Sequence, residues 1–114
     1  MTQSLLKDPP HPGEVLHELY LKPLEMSSLA CARRLGVPRT RIERLVKGQT
    51  GITPDTALRL ARLFNTSSIY WMNMQTIYEM DRAAKTVDIS SIEPMAYAQG
   101  VTATLYSAMT GGLD

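Results

Sequence analysis

Five of the twelve residues from Arg33 to Arg44 are arginine, and three of them, Arg39, Arg41 and Arg44, follow a Gly36-Val37-Pro38 turn. A guanidinium is permanently charged and presents its N–H groups in a planar fork, which matches a phosphate or the O6/N7 edge of guanine. Thr40, between two of them, carries a methyl group of the kind that contacts the thymine methyl. Arg39, Thr40, Arg41 and Arg44 are therefore the candidates for reading bases. Ser28 and Arg33 before the turn, and Lys47, Gln49, Thr50 and Thr53 after it, suit contacts to the phosphate backbone, which position a duplex without reading it. Thr53 is also placed to cap a helix, a second use for its hydroxyl. Glu43 lies among the arginines and can either accept a hydrogen bond from cytosine N4 or neutralise a neighbour. The plainer reading of the same residues is a solvated helix face with one arginine paired to Glu43 or Asp55.

Charge along the chain favours the first reading. The net charge of +1 conceals eight basic residues against two acids in residues 33–62, whereas residues 1–32 sum to −2 and residues 63–114 to −3. A basic middle between acidic flanks orients a protein on a polyanion and leaves the flanks for a basic partner.

Two short helices must position these side chains. Ser27 is a helix cap for residues 28–35, and Gly36 supplies the left-handed residue that ends such a helix in a tight turn. Pro38 fits the first turn of a second helix running to about Lys47, where Gly48 stops it. Ala32 is small enough for the two helices to cross closely, and Leu35, Val37, Ile42 and Leu45 are spaced to seal the inner face. Cys31 reads as a small buried hydrophobe. This is a helix-turn-helix, with the arginines on the outer face of its second helix.

Around the unit the spacing predicts three more helices. The first follows Pro12 through residues 13–20, with Leu16, Leu19 and Tyr20 at helical spacing, and Pro23 ends it. Thr53-Pro54-Asp55 opens another, which ends at Asn65. Ser67 or Ser68 opens a long last helix through about Ala84, with Trp71, Met74 and Tyr78 on one side. The expected fold is all-α: a flexible arm over residues 1–12, a helix-turn-helix DNA-binding domain over 13–84, and a weakly patterned C-terminal extension over 85–114. Within that extension Met95 to Met109 suits a further helix or a segment ordered by a partner. Trp71, Met74, Ile77 and Tyr78 are candidates for a dimer or toxin interface, core packing being the first explanation for Trp71. Arg59 and Arg62, three apart on one helix, divide between DNA backbone and an acidic partner.

Other classes find little support. No apolar run approaches the roughly 20 residues that span a bilayer, and the N-terminus lacks a signal-peptide core, so the expected location is the cytoplasm. One cysteine makes no internal disulfide. His11 and His17 are not spaced with acids or Cys31 into a metal site or nucleophile triad, and the Gly48–Gly51 loop lacks a P-loop ending. Neither a cofactor nor an enzyme activity is expected. His11 instead suits the start of the first helix, by capping or packing.

With these residues in view, HPGEVLHELYLKPL, LGVPRTRIERLVKG and GITPDTALRLARLFNTSSIYWMNMQTIYEM resemble the HigA/VapI-type antitoxins, within the larger helix-turn-helix group of phage Cro and C1 repressors. The resemblance spans residues 11–80. It implies a five-helix, lambda-repressor-like domain that forms a homodimer, binds palindromic double-stranded operator DNA at its own promoter, and blocks a RelE-like ribonuclease toxin. By similarity, Arg39, Thr40, Arg41 and Arg44 fall on recognition-helix positions. Ser28 stands where the family often has glutamine, Lys47 where asparagine is frequent, and Gln49 and Thr50 where basic residues are common. These departures remove some phosphate anchors while Lys47 restores one charge. Two rival functions carry the same fold: a solitary transcriptional regulator without a toxin, and a protein-binding module that has lost DNA affinity.

Overall fold

Side-chain caps and left-handed turn residues fix where the chain changes direction. The computed structural model describes residues 8–96 and Met109. Helix α1 begins at Pro12, where the His11 ring caps it: Gly13 N donates to His11 Nδ1 at 2.9 Å. It is α-helical over Pro12–Val15 and then widens into a π-helix over Leu16–Leu21. Helix α2 spans Ser28–Leu35, capped by Ser27 and ended by Gly36 at φ 73°. Helix α3 spans Arg39–Val46, helix α4 Pro54–Phe64, and helix α5 Ser68–Thr86. Thr53 Oγ1 caps α4 and Ser67 Oγ caps α5, while Asn65 ends α4 in the left-handed region at φ 55°. Among the described residues there is no strand, and the arrangement is the all-α helix-turn-helix fold anticipated.

One boundary and one helical turn differ from the sequence reading. Pro38 is not inside α3 but is its N-cap residue, and its extended backbone (ψ 145°) means that the helical conformation begins only at Arg39. In α1 the bond from Lys22 N to His17 O spans five residues. That widened turn brings Leu16 and Leu21 together into the core and leaves Leu19 63% exposed, against the apolar role its spacing had suggested.

The core is formed by Leu16, Leu21, Cys31, Ala32, Leu35, Ile42, Leu45, Ile52, Ala57, Leu60 and Trp71. Ala32 and Leu35 from α2 meet Ile42 and Leu45 from α3 inside it, with Val37 of the turn packed against them. Cys31 is a free thiol that burial pushes up to about 11, in keeping with an inert hydrophobe. Trp71 is fully buried, its indole Nε1 donating to Thr66 Oγ1 at 2.8 Å, and it packs at an angle to Tyr20 and Phe64 and edge-to-face with Tyr70. Trp71 therefore belongs to the core and has no face to offer a dimer or toxin partner. No helix among the described residues is long and apolar enough to cross a membrane. Residues 87–96 continue beyond α5 without a further helix, exposing Val87, Ile89, Ile92 and Met95. The expected helix from Met95 to Met109 lies almost wholly outside the described residues.

Candidate nucleic-acid interface

The inward face of α3 is spent on Ile42 and Leu45, so Arg39, Thr40, Arg41 and Arg44 are left on the exposed side. Thr40, Arg41, Arg44, Thr50, Thr53 and Asp55 line one shallow concavity formed by α3, the following loop and the start of α4. Lys47 and Gln49, at the end of α3, are exposed too. Arg33 is exposed on α2 and Ser28 is half-buried at its start. Among the proposed backbone contacts, Thr53 is already engaged: its Oγ1 accepts from Thr56 N and lies 3.3 Å from Thr56 Oγ1.

Both acids flagged by the sequence are paired with arginines, in different ways. Arg39 and Glu43 form an i,i+4 contact of 3.4 Å on α3. Arg41 reaches across to α4, where its Nη1 donates to Asp55 Oδ1 at 2.7 Å. The same carboxylate oxygen accepts from Arg59 Nε at 2.8 Å, and Arg59 Nη1 donates to the Leu35 carbonyl at 2.8 Å. The hydrogen bonds from Arg59 and Arg41 hold the Asp55 carboxyl below its ordinary value, so it is ionised at neutral pH. Arg59 thus ties the C-terminus of α2 to α4, a structural placement that neither of its expected contacts anticipated. Arg62 remains exposed in the last turn of α4.

Sequence reasoning missed the residue that shapes the loop after α3. Gln75 is buried on α5, and its Oε1 accepts from Ile52 N at 2.6 Å while its Nε2 donates to Glu79 at 2.9 Å. A side chain on Gly51 would bring its Cβ within 2.7 Å of Gln75 Nε2, so the loop's backbone lies directly against the amide. The available signal was a polar residue four positions after Trp71, on the buried side of α5.

The candidate partner residues separate in the same way. Met74 is half-buried against the core, and Tyr78 is half-buried, meeting the His11 ring edge-on at 4.9 Å and accepting from Arg82 Nη1 at 2.7 Å. Ile77 is 43% exposed and shares a side of α5 with exposed Ile69 and Met80. Among the described residues no group of three or more His, Cys, Asp or Glu is arranged to hold a metal ion.

The family described as Helix-turn-helix matches residues 18–71, which include both helices of the unit and the whole of α4. The chain is 51% identical over 73 residues to virulence-associated protein I of Dichelobacter nodosus, a match that covers 64% of this chain and 68% of that one. Its structure is similar to that of an addiction module antidote protein of the HigA family from Coxiella burnetii, with TM-score 0.73 and 36% identity over 77% of this chain and 99% of the other. It is also similar to the Pseudomonas aeruginosa antitoxin HigA with the higBA promoter, with TM-score 0.70 and 37% identity over 76% and 98% of the respective chains.

Proposed function

The chain belongs to the HigA/VapI-type helix-turn-helix antitoxins, and from that premise we propose that it forms a dimer which binds operator DNA at its own promoter and represses its own operon. The observation that carries this reading is the exposed row Arg39, Thr40, Arg41 and Arg44 on a helix whose opposite face is locked into the core. A dimer presents two such helices to half-sites about one helical turn apart, and occupancy of the promoter blocks transcription. Recognition rather than catalysis is the activity. The similar Pseudomonas aeruginosa antitoxin HigA with the higBA promoter supports promoter DNA as the ligand.

The second part of the proposal is that the chain neutralises a RelE-like ribonuclease toxin. The exposed apolar side chains Ile69, Ile77 and Met80 on α5, with the acidic charge of residues 63–114, suit a second copy or a basic partner. Toxin binding then alters operator affinity through linked equilibria.

A reporter driven by the chain's own upstream DNA tests both parts. Wild type should silence it, and an Arg39→Ala, Arg41→Ala double variant that still folds should not. Co-expression with the product of the adjacent gene should relieve toxicity and copurify the two chains. Repression without such a partner would leave the solitary regulator; no repression, with partner binding intact, would leave the protein-binding module.

A further inference from the structure

We propose that Asp55 is a positioning residue for base recognition, holding the Arg41 guanidinium from a neighbouring helix so that α4 sets the base preference at the position Arg41 reads. The inference rests on the DNA-reading role of α3 given above.

The geometry is a relay across three helices. Asp55 Oδ1 takes one hydrogen bond from Arg41 on α3 and another from Arg59 on its own helix, and Arg59 is in turn fixed to the Leu35 carbonyl at the end of α2. The carboxylate is therefore anchored from behind as well as bound in front. An arginine side chain free in solvent samples many rotamers, and restraining it before binding removes an ordering cost from the complex. Asp55 engages Nη1 only, which leaves hydrogens on Nη2 and Nε of Arg41 to form the two-pronged contact a base edge requires. Arg39 differs: its acid partner lies on the same helix at 3.4 Å, with no second anchor behind it among the described residues.

Stability accounts for the Arg59 arm, which ties α2 to α4, but poorly for the Arg41 arm. The Arg41, Asp55 and Arg59 side chains are 41%, 54% and 42% exposed, and ion pairs that open to water contribute little to folding. A carboxylate lining the basic concavity also repels phosphate, so it opposes indiscriminate attraction while orienting one reader. Both effects favour discrimination over bulk affinity.

The test is selection of bound duplexes from a randomised double-stranded DNA library by the full-length wild type, Asp55→Asn, Asp55→Glu and Arg41→Ala proteins, with binding to a scrambled duplex and thermal unfolding measured in parallel. Asp55→Asn should flatten the preference at one position of each half-site by roughly threefold to tenfold, the position also flattened by Arg41→Ala. Its binding to the scrambled duplex should not fall, and Asp55→Glu should restore part of the preference. In the Arg41→Ala background, Asp55→Asn should have no further effect at that position. Unchanged preference in Asp55→Asn, or loss spread evenly over all positions with a lowered unfolding temperature, would overturn the proposal while leaving α3 as the reader. A wild type that selects no sequence would overturn the DNA-reading role and this inference with it.

Discussion

Arg39 and Lys47 stand at opposite ends of α3, and their removal should have different consequences. Arg39→Ala should cost about 1–3 kcal/mol of operator binding and change the preference at one base position, if its fork meets a base edge. Lys47→Ala should weaken operator and scrambled duplexes alike and reduce the slope of log affinity against log salt by about one, because a phosphate contact releases a counterion whatever the sequence. Fluorescence anisotropy over a salt series separates the two. Much was legible from residue type: the exposed arginines, the buried Cys31 and the capping use of Thr53 and His11, whereas the plainer reading allows one arginine to pair with Glu43 or Asp55 and the structure pairs two, one with each. The role of Arg59 was not legible, since its partner is a backbone carbonyl 24 residues away. Trp71 was ambiguous because a large apolar ring serves a core or an interface equally well until its neighbours are known.

The helices differ in how much of their placement is written locally. Serine and threonine caps, Gly36 and Asn65 act on amides and carbonyls within a few residues, so three helix starts and two helix ends could be read almost to the residue. Two contacts that lock α3 and its loop depend on distant backbone. At Gly13 an added Cβ would collide with the Leu45 carbonyl, so α1 begins with its backbone directly against the end of α3. Gly13→Ala should therefore force these elements apart and lower stability by about 1–3 kcal/mol. Gln75→Leu would orphan the buried Ile52 amide at a cost of about 1–3 kcal/mol, visible as a lower denaturant midpoint. The Gly13 contact has no periodic signature, and the i+4 spacing of Gln75 from Trp71 marks a buried position without naming its partner. The π-helical turn in α1 escaped for a related reason, since the apolar spacing of Leu16, Leu19 and Tyr20 also fits an ordinary helix.

For the molecule as a whole, pH acts through the place where α1, the loop after α3 and α5 meet. His11 sits there, with Gly13 N bonded to its Nδ1, Gly48 beside its ring and Tyr78 against its edge. Burial holds its pKa below the ordinary 6.5, with Arg82 adding to the depression and a hydrogen bond to Thr50 and the charge of Glu14 opposing it. The unfolded chain consequently binds the proton more readily than the folded one. The His11 contribution is fully present above pH 6.5 and is lost as pH falls from there through the lower folded value. Thermal unfolding between pH 7.5 and 5 should show this loss in wild type and a smaller one in His11→Asn, which retains a capping oxygen but does not titrate; equal losses would assign the effect elsewhere.

A basic helix-turn-helix between acidic flanks should bind DNA, and the exposed arginines of α3 should make it prefer one sequence. The direct measurement is salt-titrated binding of the purified protein to its own upstream duplex and to a scrambled duplex of equal length, repeated with the Arg39→Ala, Arg41→Ala variant. Sequence-specific repression requires tight binding to the upstream duplex, a weaker and more salt-sensitive affinity for the scrambled one, and loss of that difference in the variant. Equal weak binding of wild type to both duplexes would contradict it.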